Sequence, residues 1–201
     1  MKKKIYLVAL MIAISGTFFA QEEKKSSFSF HFGPTFPMAD FGDDDPDEED
    51  ALGAGVGIGL GFQYTYPLSE TGLGLFVSLD VNHNWLKNDV KDDIVEIFED
   101  FTDEVDEDDI TFNKYFNIPA SVGLSYAIQA DDKLSFYGNL GLAVNFFKIT
   151  NLTIEYQGEE ITSEYDLSSA IGAKIGGGVI INSKTYISIN YFGLGKHEID
   201  V

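Results

Sequence analysis

Residues 52–66 read Leu-Gly-Ala-Gly-Val-Gly-Ile-Gly-Leu-Gly-Phe-Gln-Tyr-Thr-Tyr. Every even position is apolar or aromatic, and every odd position is glycine, Gln63 or Thr65. A period of two makes the segment a β-strand with two chemically opposite faces. Neither face carries a charge. A sheet in water turns charged or hydroxylated side chains to solvent and hydrophobes to its core. Here the apolar face requires apolar surroundings, and the other face is small and neutral, as in the crowded interior of a narrow barrel.

The same alternation recurs over residues 28–36, 73–85, 112–128, 134–148, 165–181 and 186–194, which makes seven segments in all. In the third, Leu73, Leu75, Val77, Leu79 and Val81 oppose Gly74, Phe76, Ser78, Asp80 and Asn82. Each segment reaches the roughly 9–11 residues that a tilted membrane-crossing strand needs. The connections alternate in length. Residues 67–72, 129–133 and 182–184 are tight turns, whereas 37–51, 87–111 and 149–164 are long. Outer-membrane barrels have short periplasmic turns and long extracellular loops, and starting the first strand in the periplasm reproduces that asymmetry. Phe28, Tyr64, Tyr66, Tyr126 and Phe136 fall near the turn ends; Trp85, Phe116, Phe146 and Tyr165 fall near the loop ends, as two interfacial girdles would. The chain is therefore expected to be all-β, an antiparallel up-and-down transmembrane β-barrel of the eight-stranded type with seven strands visible. A soluble barrel of lipocalin type would also alternate, but these strands offer almost no charge for a water-facing surface. Seven strands starting upward leave residues 195–201 at the cell surface, so the eighth strand is expected to be missing. Either a gap or a parallel closure between first and seventh strands should follow.

Residues 1–20 carry Lys2, Lys3 and Lys4 ahead of an apolar run from Ile5 to Ile14 and a small-residue region, the layout of a secretory signal peptide cut after Ala20. Residues 21–27 form a short linker and 28–201 the barrel domain. Of the 13 cations, all lysine, removal of the signal leaves ten against 33 acids, so the net charge moves from −20 to −23. So acidic a chain does not bind nucleic acid. With no cysteine it has no disulfide, thiolate nucleophile or thiolate metal ligand.

About eight strands enclose an interior that side chains just fill, so the lumen is expected to be plugged. Asp80 and Lys174 are its rare charges. Each lies about eight residues up its strand from a tight turn, and both should face inward at similar depth and pair. The remaining charge sits in loops. Asp40, Asp43, Asp44, Asp45, Asp47, Glu48, Glu49 and Asp50 crowd the first, and twelve carboxylates from Asp89 to Asp109 crowd the second. These read as solvated, repelling surface, with weak divalent-cation binding as the alternative. Within the second loop Val90, Ile94, Ile97, Phe98 and Phe101 recur at helical spacing, capped by Asn88 or Asp89, and read as a lid on the barrel rim, with a partner-binding helix as the alternative. His31, His83 and His197 have no nucleophile motif beside them, and His83 should face away from Asp80. The sequence therefore singles out no catalytic, cofactor-binding or metal-ligating residue.

Gly33-Pro34-Thr35-Phe36-Pro37-Met38-Ala39-Asp40-Phe41-Gly42 resembles the first strand and loop of small outer-membrane β-barrel proteins common in Bacteroidota, OmpA-like barrels often labelled a porin family. Tyr115-Phe116-Asn117-Ile118-Pro119 is similar to a mid-barrel strand of that family and residues 191–197 to a late one. The resemblance implies eight antiparallel strands and brings no catalytic residues. The expected function is that of a non-enzymatic, integral protein of the bacterial outer membrane, with a filled lumen and acidic extracellular loops, in a structural or surface-interaction role. Its expected partners are outer-membrane lipid and lipopolysaccharide. The alternative is a small porin or transporter for a cation or polar solute.

Overall fold

The computed structural model describes residues 26–43, 52–101, 109–182 and 185–195. Seven long strands form one antiparallel sheet: β1 (Ser27–Thr35), β2 (Ala54–Pro67), β3 (Leu73–Leu86), β5 (Lys114–Gln129), β6 (Leu134–Ile149), β9 (Ser168–Ile181) and β10 (Thr185–Gly193). Each pairs with the next in that order, so the sheet is an up-and-down meander, and it rolls into a nearly closed barrel. The tight turns lie together at one end. Leu68 N–H reaches Leu73 O at 2.8 Å and Ala130 N–H reaches Leu134 O at 2.8 Å, while Asp131 Oδ1 accepts from the amides of Lys133 and Leu134. The long connections lie at the other end. Among the described residues no ladder joins β1 to β10, which run in the same direction, so the sheet keeps a seam between them.

Three features depart from the alternation read along the chain. First, residues 152–163 are not plain loop. β7 (Leu152–Tyr156) and β8 (Glu159–Ser163) form a hairpin that pairs with β4 (Ile110–Thr111) in a separate three-stranded sheet. Its two-residue turn, Gln157-Gly158, has both residues at positive φ, which matches the right-handed twist of the paired strands. This hairpin is no eighth barrel strand. Second, β2 carries a bulge: Ala54 pairs with Leu86 but Gly57 with Asn84, so one extra residue sits on β2. Parity flips there, and Ala54 points inward although the later even positions Val56, Ile58, Leu60 and Phe62 point out. Third, Tyr165 precedes β9 and packs against the loop-end core, so it does not belong to an outward girdle.

The helix α1 (Asn88–Phe101) forms where the apolar spacing places it. The Lys91 amide bonds the Lys87 carbonyl at 3.2 Å, so Lys87 holds the capping position and Asn88 and Asp89 enter the first turn. Val90 and Ile94 pack on the buried cluster of Ala54, Leu86, Tyr115, Phe147 and Ile149, together with Phe41, Leu52 and Phe112. Val95 and Phe98 pack on Ile110 and Ile154 of the small sheet. Ile97 is exposed, and the side chain of Phe101 lies outside the described residues. The helix is thus a lid over the loop end.

The exposure of the barrel is inverted relative to a soluble protein. Phe32, Ile171 and Ile189 are 77, 78 and 84 % exposed, while Asp80, Asn84, Asn117 and Lys174 are 2 % exposed or less. Rolling a sheet this tightly also forces strands together on the inside. A Cβ added at Gly123 would lie 2.2 Å from Leu140 O and 2.4 Å from Gly141 Cα, whereas at Gly138, one strand over, it would meet nothing closer than 3.9 Å. Gly123→Ala should therefore lower unfolding stability by about 1–3 kcal/mol, and Gly138→Ala should stay within about 0.5 kcal/mol of the unmodified chain. Urea titration in detergent micelles, followed by gel mobility, measures both.

Candidate functional site

Two rows of paired residues build the centre of the barrel. In the first, His31 on β1 lies opposite Gly61 on β2, which lies opposite Asp80 on β3. Gly61 has no side chain to block the row; a Cβ there would sit 2.5 Å from Asp80 Oδ1 and 2.7 Å from His31 Nε2. His31 therefore reaches across β2, and its Nε2 lies 2.5 Å from Asp80 Oδ1. In the second row, Phe192, Lys174, Gly141, Gly123 and Phe76 follow one another from β10 to β3. The two glycines leave room for the Phe76 ring, whose Cζ occupies the space a Gly141 Cβ would need.

Lys174 extends over this gap and crosses the lumen to β3. Its Nζ donates to Asp80 Oδ2 at 3.1 Å and to Ser78 Oγ at 2.9 Å, and Ser78 in turn donates to Asp80 Oδ2 at 3.1 Å. The ammonium also lies 5.0 Å from the Phe192 ring centre and 5.9 Å from that of Phe76, within cation–π range. The expected pairing of Asp80 with Lys174 is direct. Opposite charges cancel, and the carboxylate receives three donors, which is what a buried ion pair requires to offset its desolvation. Lys174 and Asp80 have side-chain exposures of 0 and 3 %, so only His31, at 26 %, is reachable from outside.

His31 stands at the inner edge of a polar vestibule of about 210 Å³ at the turn end. Ser29, Gln63, Tyr137, Asn139 and Ser188 line it, all from inward-facing positions. Asn139 donates to Gln63 Oε1 at 3.1 Å, and Tyr137 meets Tyr186 edge to face. Toward the loop end the interior is packed. Asn84 donates to Thr35 Oγ1 and Gly55 O at 3.0 Å each, and Asn145 donates to Asn117 Oδ1 at 3.0 Å. Above them Phe41 meets Tyr115 and Phe147 edge to face, and the Tyr115 hydroxyl donates to the Leu52 carbonyl.

His83 faces away from Asp80, stacked on Phe116 with ring centres 4.6 Å apart. His197, residues 44–50 and residues 103–108 lie outside the described residues. The carboxylates of Asp89, Asp92, Asp93 and Glu96 stand on the exposed side of the lid helix. Among the described residues no three acidic or histidine side chains converge in a way that would hold a metal ion. Sequence reading missed His31 and the flanking phenylalanines. The signal was present in the lumen-facing parity that His31, Phe76 and Phe192 share with Asp80 and Lys174, but register across strands was needed to bring them together.

No family model matches this chain, and neither a curated protein nor a solved structure matches it.

Removing one member of the pair strands the other in the interior. Lys174→Met alone should cost about 3–5 kcal/mol of unfolding stability, and Asp80→Asn added to it should restore most of that loss. Unfolding followed by the fluorescence of Trp85, the one tryptophan, provides the readout. Additive losses in the double variant would show that the two charges do not act as a unit.

Proposed function

We propose that this chain is an integral outer-membrane β-barrel protein of the eight-stranded type, with a filled lumen and acidic loops at the cell surface, acting without catalysis in a structural or surface-interaction role. The eighth place in such a barrel is the seam between β1 and β10, where a strand of opposite direction would pair with both edges. The observation that carries the reading is the inverted exposure of the sheet. Phe28, Phe30, Phe32, Ile58, Leu140, Leu142, Ile171 and Ile189 all point away from an interior that holds Asp80 and Lys174. Burying a side chain of that size instead of leaving it in water is worth about 1.5–3 kcal/mol. An outer face this apolar is stable against lipid tails and would be an aggregation surface in water. The amino-terminal signal pattern and the sorting of links into short and long ends support the same location.

The alternative, a small porin or transporter, draws on the polar vestibule. Against it stand the Lys174–Asp80 strut, which crosses the interior, and the Phe41–Tyr115–Phe147 cluster packed at the loop end. Cell fractionation is the direct test. The protein should stay in the outer-membrane fraction through sodium carbonate and high-salt washing; recovery from the soluble periplasm would overturn the reading. Purified protein in planar bilayers should give no steady unitary current, and a reproducible conductance would put the transporter first.

A further inference from the structure

Among the described residues, the outer face of the barrel strands is charged in one place only. The seven barrel strands carry four residues with formal charge: Asp80, Lys114, Lys148 and Lys174. Asp80 and Lys174 point inward. Lys114 and Lys148 point outward and are exposed, and both lie at the loop end of neighbouring strands. Lys148 stands directly opposite Phe116, two residues from Lys114, so the two lysines are diagonal neighbours on one face, about 7–8 Å apart at their backbones. Trp85 is opposite Lys114, and His83 is opposite Phe116 and stacked on it. Neither lysine forms an ion pair with a carboxylate among the described residues. In a chain of 33 acids and 13 lysines, an outward face with two adjacent cations and no carboxylate does not sample the composition.

We propose that Lys114 and Lys148, flanked by Trp85, His83 and Phe116, form a binding site for the anionic phosphate headgroup of a lipid in the leaflet on the loop side. The inference rests on the membrane reading above. Placed at the rim of the apolar belt, the two ammonium groups reach headgroup depth while their methylene stems lie along the barrel wall. The aromatic rings fit the boundary between tails and headgroups. Among the described residues, the lid carboxylates Asp89, Asp92, Asp93 and Glu96 stand on the helix over the barrel end, and none of them pairs with either lysine.

Trp85 is 43 % exposed and is the only tryptophan, so the site carries its own reporter. The folded protein in zwitterionic bilayers is titrated with phosphatidylglycerol or phosphatidylcholine bearing brominated tails, and quenching of Trp85 is read. Phosphatidylglycerol should quench at a mole fraction at least about fivefold lower, the preference expected from a single lysine near an anionic headgroup. Lys114→Gln with Lys148→Gln should erase the preference, and Lys133→Gln, at the turn end, should keep it. If the double variant does not fold, added salt on the unmodified protein serves instead. The preference should fall as charge is screened, and a salt-indifferent preference overturns the site. Equal quenching by the two lipids also overturns it. Loss of the preference in millimolar inorganic phosphate would mean a site for a soluble anion and would overturn the lipid assignment. No quenching by either lipid would remove Trp85 from the bilayer and overturn the membrane reading itself.

Discussion

Room is the constraint on which the rest of this barrel depends. A sheet rolled into so narrow a cylinder cannot carry a side chain at every inward position. Gly61, Gly123 and Gly141 supply the vacancies, and the long side chains of His31, Phe76 and Lys174 use them. The glycine-rich inner face is therefore not weak packing. It is one half of a division of labour in which bare backbone on one strand accommodates a reaching side chain from another. The polar groups then meet at the centre, where Asp80 receives donors from β1, β3 and β9 together.

The ends are finished differently. At the turn end the lumen opens into a small polar vestibule that stops at His31. At the loop end aromatic rings and the lid helix pack together, and the helix doubles as the joint between the barrel and the small three-stranded sheet. The apolar side of α1 faces both, while its acidic side faces out. The acidic side chains of the helix are in this way carried above the barrel's outer wall and not on it.

Much of this was legible in the sequence because one physical rule, the period of two, governs both the strand and its surroundings. The seven strands, the sorting of links into short and long, and the meeting of Asp80 with Lys174 all follow from counting residues along the chain from the tight turns. What counting cannot see is an inserted residue. The bulge between Ala54 and Gly57 flips parity without changing the apparent pattern, since Ala54 suits either face. The β7–β8 hairpin had a readable signal in Gln157-Gly158 flanked by Leu152, Ile154 and Ile161, but its strands are half the length of the others and pair outside the barrel. His31 was legible as an inward residue only. Its partnership with Asp80 depends on the register of three strands, a two-dimensional fact that a one-dimensional pattern does not hold.

The strut between Lys174 and Asp80 joins residues 94 positions apart, and β5 and β6 lie between the strands that carry them. No local step of folding can make this contact. Hairpins such as β2–β3 and β5–β6 form from neighbours in sequence, but the strut exists only after four successive strands, β3, β5, β6 and β9, are in register and curled. A one-residue slip in any intervening ladder turns one of the two charges to the outer face of the sheet. The ion pair thus works as a proofreading device. It adds its stabilisation to the one alignment in which every strand is correctly placed, and it withholds that stabilisation from every near miss.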